Sequence, residues 1–366
     1  MKEDGEKRGS NPLPPQVDVT VLVAVYNAQR YLRECLDSLL QQSLQHFQAI
    51  CVDDGSTDGS WDILQEYASK DRRIETIRLK ENQGQAHARN VGLRAARGTF
   101  TCFLDSDDRL SPDALRSAVD VFHAHERVDC VLFHVVNCDE QGNKVSDYPM
   151  PTFEKLSGNE AFELSLTWKI HGIYMVRTSI HRQYPYDETC KTYSDDNTTR
   201  IHYVKSREVR CCEGIYEYRH HAASVTHRID ATRFNYLKAN ESMRRQLMDL
   251  HVPNHVLTLY ENVRWLILID SYMFYYNHRK QLSASERAYG LSEIKRVWRD
   301  IDTSCLDIRH KMKFGYMPFR WSWALFRLQE EAYFSLRKLY DLFRFAQGRK
   351  AFCPSPQGRS AIAARS

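Results

Sequence analysis

The sequence predicts an α/β protein: a mostly parallel β-sheet with flanking helices, followed by a helical C-terminal extension. Three observations carry this. From Asp18 to Leu104, short apolar runs alternate with segments of helical spacing, the pattern of a parallel sheet covered by helices. Three of those runs stop abruptly in polar clusters, at Tyr26-Asn27, Asp53-Asp54 and Asp105-Ser106-Asp107-Asp108. After Asp230 the strand-like runs give way to long amphipathic stretches.

Taken in order, Val19 to Val25 is β-branched with no polar face and reads as a central strand. From Tyr31 to Gln42 the residues Leu32, Cys35, Leu36, Leu39 and Leu40 share a helical face. Phe47 to Val52 is a second strand, and Asp58-Gly59-Ser60 opens a helix with Ile63, Leu64 and Tyr67 inward. Glu75 to Leu79 is a third strand, followed by a turn at Glu81 to Gly84 and a helix from Gln85 to Ala96 that Gly98 ends. Phe100 to Leu104 is a fourth strand, and Val128 to Asn137 another. Glu160 to Thr167 reads as a short helix, Trp168 to Tyr174 as a turn and strand, and Glu208 onward as a strand ending in Tyr218-Arg219-His220-His221. Phe234 to Tyr276, broken near Pro253, and Glu286 to Ile301 are helical. Phe314 to Phe345 is a basic aromatic helix, which either packs on the first domain or attaches to an anionic membrane surface. Its aromatic face also allows self-association as a homodimer. These readings divide the chain into a disordered leader (1–17), a catalytic domain (18–229), a helical region (230–347) and a disordered tail (348–366).

Composition sets limits on function. The 366 residues suit two domains or one domain with a large extension. A net charge of +4 is too mild to argue for a nucleic-acid partner. The ten cysteines include no CxxC pair and lie mostly in apolar runs, as buried thiols in a reducing compartment do. The polar N-terminus lacks a signal-peptide core, and the apolar stretch from Trp265 to Tyr276 is interrupted by Asp270. The expectation is a cytoplasmic protein, peripheral at most on the inner membrane.

The chemistry lies in the acids. Carboxylates crowded at a strand end repel one another unless a cation or a donor-rich ligand compensates them, and Mg²⁺ or Mn²⁺ suits hard oxygen ligands together with substrate phosphates. A plainer reading is a solvated turn capping the helix near Ser111-Pro112-Asp113. Neither GxGxxG nor GxxxxGK[ST] occurs, so hydride-transfer and P-loop sites lose ground. Asp195-Asp196 precedes a helical segment, where an acid can serve as helix cap, as catalytic base, or as both. His220, His221 and His227 are candidate metal ligands.

At this point the segments VLVAVYNAQRYLRECLDSLLQQSL, CVDDGSTDGS and NQGQAHARNVGLRAARGTFTCFLDSDD resemble the family-two glycosyltransferases of the GT-A fold, the bacterial polysaccharide type. The order and spacing match from residue 18 to about 110, and a looser match continues through SDD and YRHHAASVTH. The resemblance implies a nucleoside-diphosphate sugar, UDP-linked by preference, bound at the strand rim. Tyr26 matches the position beside the base, Asp54 the acid that bonds it, and Asp53 its supporting neighbour. Asn82 and Gly84 match the turn near the nucleotide, and Arg89 the helix behind it. Asp105-Ser106-Asp107 matches the DxD motif, with Asp107 on the metal, Asp108 sharing that role, and His227 as a further ligand. Asp195-Asp196 stands where members carry Glu-Asp, the second acid being their base; Asp196 is the candidate, with Asp195 left open. The implied reaction is metal-dependent, inverting transfer of a hexosyl or related group to a glycan or lipid-linked acceptor. A nucleotidyltransferase is the competing enzyme class, but it requires a Gly-rich basic loop where this chain has Tyr26-Asn27-Ala28-Gln29. A degenerate scaffold would be expected to lack acids that are all present here.

Overall fold

The computed structural model describes residues 17–189, 192–193, 195–221, 229–312 and 322–346. The expected leader, up to residue 16, and the expected tail lie outside them, as does His227.

The first half alternates as the sequence predicts: β1 (Val19–Val25), α1 (Leu32–Leu40), β2 (Phe47–Asp53), α2 (Ser60–Lys70), β3 (Ile74–Arg78), α3 (Gln85–Ala95) and β4 (Phe100–Phe103). Then come β5 (Arg109–Leu110), α4 (Ala114–Ala124), β6 (Val128–Cys138), β7 (Lys144–Asp147), β8 (Leu156–Ser157), α5 (Gly158–Leu166), β9 (Tyr174–Arg177), α6 (Thr178–Gln183), α7 (Asp195–Lys205) and β10 (Glu208–Arg219). The remainder is helical: α8 (Asn235–Asp249), α9 (Asn254–His278), α10 (Ala284–Asp300), α11 (Ile308–Met312) and α12 (Trp323–Ala346).

The main strand order is β3-β2-β1-β4-β9-β6-β10-β5. The first four strands are parallel, so their C-terminal ends reach one rim, where open α/β sheets bind ligands. The sheet as a whole is mixed. β9 enters between β4 and β6 and runs antiparallel to both. The turn read at Trp168 to Gly172 therefore delivers its strand, from Tyr174, into the middle of the sheet. β6 and β10 pair in parallel beyond it.

Two apolar layers cover the N-terminal strands, one beneath α1, α2 and α4 and a smaller one beneath α3. A third joins Cys130, Leu132, Tyr174 and Val176 of the sheet to α5, α7 and the C-terminal helices in one continuous core. The helical region is thus a layer on the sheet and shares its interior. One face of α12 takes part: Phe326 packs against Tyr272 and Trp298, and Phe334 against Tyr272.

Candidate functional site

The loops after β1 and β2 are stitched to each other. The Asn27 N–H donates to Ser56 Oγ (3.0 Å), and Asn27 Oδ1 accepts the Thr57 N–H (2.8 Å). Asn27 adopts φ +49°, a left-handed conformation that Asn tolerates. The Ala28 N–H donates to Ser60 Oγ. The preceding residue, Tyr26, is left 46% exposed on the rim, an aromatic face available to a flat ligand.

The adjacent acids divide their work. Asp53 is buried; it accepts the Ser56 N–H (3.3 Å) and lies 3.3 Å from Arg78 Nε. Asp54 accepts the Gln83 and Gly84 N–H groups, one on each oxygen and both at 2.8 Å. It thereby fixes the turn carrying Asn82 to the end of β2 and aims the start of α3 at the rim. Gly84 opens α3 at φ +99°. Gly55, at φ +74°, passes so close to the Glu81 backbone that a Cβ would lie 2.8 Å from its carbonyl carbon. Both turns require glycine.

The acidic turn after β4 separates its carboxylates by environment. Asp105 accepts from Gln85 Nε2 (2.8 Å) and from Arg89, while its own N–H donates to the Tyr216 hydroxyl. Arg89 is buried, its guanidinium 4.1 Å from the Phe103 ring centroid and 5.3 Å from that of Tyr186. Burial pushes the Asp105 carboxyl up; Arg89 opposes this, and the charges of Asp107 and Asp195 add to it. Asp107 is part-exposed, and its Oδ2 lies 2.8 Å from His221 Nε2. Ser106 is half-buried between the two acids.

Asp108 is held differently from its neighbours. It is buried, and its oxygens accept from Tyr216 Oη (2.8 Å) and the Arg219 N–H (2.7 Å). Burial, reinforced by Asp107 and Asp105, holds its carboxyl well above the usual range. Asp108 thereby ties the turn to β10.

The two acids opening α7 also diverge. The charge of Asp195 is felt by Asp105, Arg89 and Tyr186, whereas that of the buried Asp196 is felt by Tyr260 of α9. Asp196 is buried at the start of α7, whereas Asp195 is only half-buried.

Sequence reasoning missed the group that locks this corner. Arg219 is buried; it donates to the Asp107 carbonyl (3.0 Å), the Glu140 carbonyl (2.9 Å) and Glu34 Oε2 (2.6 Å). It lies 4.8 Å from the Tyr31 ring centroid, and that ring in turn sits 4.8 Å from the His221 ring. No local pattern marks it, because its partners come from α1, the acidic turn and the β6–β7 connection. Of the three histidines, His221 reaches Asp107, while His220 bonds Asn137.

Among the described residues, no group of three or more His, Cys, Asp or Glu forms a ready-made cation cage. The donor set at Asp107 and His221 still fits a divalent ion that takes one carboxylate and an imidazole from protein and its remaining ligands from a diphosphate and water. Mg²⁺ prefers oxygen ligands alone, so the imidazole tilts this donor set toward a transition metal such as Mn²⁺, which also accepts carboxylate and water.

Comparison with known proteins places this rim. Residues 20–184 match the sequence model described as Glycosyl transferase family 2. The uncharacterized glycosyltransferase EpsJ of Bacillus subtilis (strain 168) is 30% identical over 226 residues, 57% of this chain and 62% of that protein. The chondroitin synthase of Escherichia coli is 35% identical over 142 residues, 38% of this chain and 21% of that protein. Other curated relatives are matched over 27% to 50% of their own length, so the chain spans less than two thirds of each of these relatives. The crystal structure of S. aureus TarS 1-349 in complex with UDP-GlcNAc superposes with a TM-score of 0.63 at 18% identity, covering 91% of this chain and 93% of that one. At that identity the likeness establishes the fold, and it extends through the C-terminal helices. The protein has the GT-A architecture. Residues 20–184, a little under half of the chain, carry the likeness to glycosyl transferase family 2.

Proposed function

We propose that this protein transfers a sugar from a nucleoside-diphosphate donor to a hydroxyl of a glycan or lipid-linked acceptor, with inversion. The observation that carries the proposal is the meeting at one rim of Tyr26, the turn held by Asp54, the Asp105–Arg89 pair, the Asp107–His221 pair and Asp195. A UDP-linked donor is favoured because S. aureus TarS, of like fold, is described in complexes with UDP and UDP-GlcNAc. A polymer or lipid-linked acceptor is favoured by relatives named for chondroitin and for poly(glycerol phosphate) synthesis. The cytoplasmic site expected from the sequence belongs to the same proposal.

In this mechanism Tyr26 and the Asn82–Gly84 turn receive the nucleoside, and Asp105, oriented by Arg89 and Gln85, accepts from ribose or sugar hydroxyls. Asp107 and His221 would hold a divalent cation, which supplies charge stabilisation for the departing diphosphate. A carboxylate opening α7 takes the acceptor hydroxyl proton. The acceptor oxygen bonds to the anomeric carbon as the bond to phosphate breaks, and the electron pair leaves with the nucleoside diphosphate. One base opposite the leaving group is sufficient, and no carboxylate nucleophile is required. We assign the base to Asp195, because its charge reaches the acidic turn; the resemblance alone had favoured Asp196.

The test is calorimetric titration of UDP, GDP, dTDP and CDP with and without Mn²⁺, followed by Asp195→Asn and Asp196→Asn. Metal-dependent binding of one nucleotide, and turnover lost in Asp195→Asn with binding retained, are expected. No nucleotide binding by the folded protein would overturn the transferase reading. Selective loss in Asp196→Asn would move the base by one residue.

A further inference from the structure

Helix α12 carries two apolar faces. The inner face is buried in the aromatic cluster around Tyr272 and Trp298. The outer face is exposed to solvent: Leu328, Leu336, Leu339 and Tyr340 are 68%, 61%, 62% and 60% exposed. Exposed Ala324 and Ala332 continue the line at helical spacing. Nine large apolar side chains are exposed among the described residues, and four of them lie on this one helix. Apolar side chains exposed singly need no explanation, whereas a contiguous ridge about 24 Å long implies a partner.

Charge identifies the partner. Residues 309–350 hold ten Lys and Arg against three Asp and Glu, while the whole chain holds 51 against 47. The remainder is therefore slightly acidic, and the net positive charge belongs to this segment. Of its three acids, Glu330 is buried, and Glu331 neutralises Arg327 (3.0 Å) while also engaged by Tyr272 (2.7 Å) and Arg279 (3.1 Å), which leaves most of the segment's positive charge unmatched. Lys338 stands exposed beside the ridge. A second copy of the chain would bring the same positive charge against itself, and a nucleic acid has no use for a leucine ridge. A surface both anionic and apolar beneath satisfies both features.

We propose that the outer face of α12 rests in the plane of an anionic lipid surface. Leu328, Leu336 and Leu339 enter the boundary of headgroups and acyl chains, Tyr340 sits at headgroup level, and the basic segment supplies long-range attraction. The contact is peripheral, since no described helix is long and apolar enough to cross a membrane. It is independent of the donor chemistry proposed above.

The test is sedimentation of the full chain with phosphatidylcholine vesicles, with and without phosphatidylglycerol, at low and high salt. The protein should pellet with the anionic vesicles, less so at high salt, and the double variant Leu336→Glu/Leu339→Glu should bind about tenfold more weakly or worse. Metal-dependent UDP binding and the thermal midpoint monitor folding of that variant. Equal binding to both vesicle types, or full binding by the variant, overturns the proposal. A wild-type dimer that the variant dissociates, with no vesicle binding, also overturns it and assigns the ridge to self-association.

Discussion

Buried acids are held differently in the sheet half and in the helical half. At the rim, Asp54 takes two main-chain N–H groups, and Asp108 takes one together with a tyrosine hydroxyl. In the helical layer, side chains dominate: Glu261 accepts from Arg264 (2.7 Å) as well as from the Asp302 N–H (2.7 Å), Arg264 is held in turn by Asp300 (2.6 Å), and Glu331 is held by Tyr272, Arg327 and Arg279. Main-chain donors fix an acid wherever a turn fixes the chain, so rim geometry follows from short sequence. Side-chain networks form only after helices distant in sequence have docked. The rim can thus retain part-exposed, mutually repelling acids for a ligand, whereas the helical layer must neutralise each charge it buries.

This comparison can be broken at four places, in descending size of effect. Asp107→Ala should lower turnover by about 10²–10³-fold or more with little change in thermal midpoint, since Asp107 is part-exposed and proposed to hold the cation with His221; enzymatic assay beside thermal denaturation checks both. A large fall in stability would mean that the rim acids are structural like those of the helical layer. Phe326→Ala should cost about 3–5 kcal/mol in chemical unfolding, because Phe326 is fully buried among Tyr272, Trp298 and Trp323. Because that core also contains α7, the loss should appear as one cooperative transition; a separate early transition would show the helices to be an independent domain.

The third prediction concerns pH. His202 is buried against the Tyr174 hydroxyl and the Tyr184 carbonyl, and burial lowers its pKa to about 4. The unfolded chain, with a histidine pKa of about 6.5, binds the proton first. Stability is therefore complete above about pH 6.5 and declines as pH falls toward 4, by on the order of 3 kcal/mol. Denaturant midpoints at successive pH values should show this slope, and His202→Gln should reduce it; an unchanged slope assigns it to other groups. The smallest effect separates neighbouring acids. Asp108→Asn should cost about 1 kcal/mol or less, since burial already favours the uncharged form, and should leave Mn²⁺-dependent UDP affinity unaltered, whereas Asp107→Asn should weaken it. Equal loss in both variants would restore Asp108 as a ligand.

Much of the rim was legible in advance. The short apolar runs marked β1, β2 and β4, and the polar residues that end them lie on one side because parallel strands end together. The strands of the second half, β6 and β10, were also legible; what resisted reading was how they pair around β9, and the choice among neighbouring candidates. The antiparallel entry of β9 depends on which strand pairs Tyr174–Arg177 can complete, and four residues carry too little pattern to show that. Asp105, Asp107 and Asp108 look alike in sequence; Tyr216 and Arg219, more than a hundred residues later, bury the third and leave the second open.

The sequence by itself therefore determined the α/β alternation, the common rim and the acid-rich character of its site, because these follow from local periodicity and from where strands stop. It also determined that the positive charge collects in the last part of the chain. Only the tertiary structure decided which acid is buried and which stays part-exposed, which histidine bonds the latter, how Arg219 locks the acidic turn to α1, and which face of α12 remains exposed. Those outcomes depend on burial and on partners brought from distant segments, and desolvation acts only once the chain has closed around them.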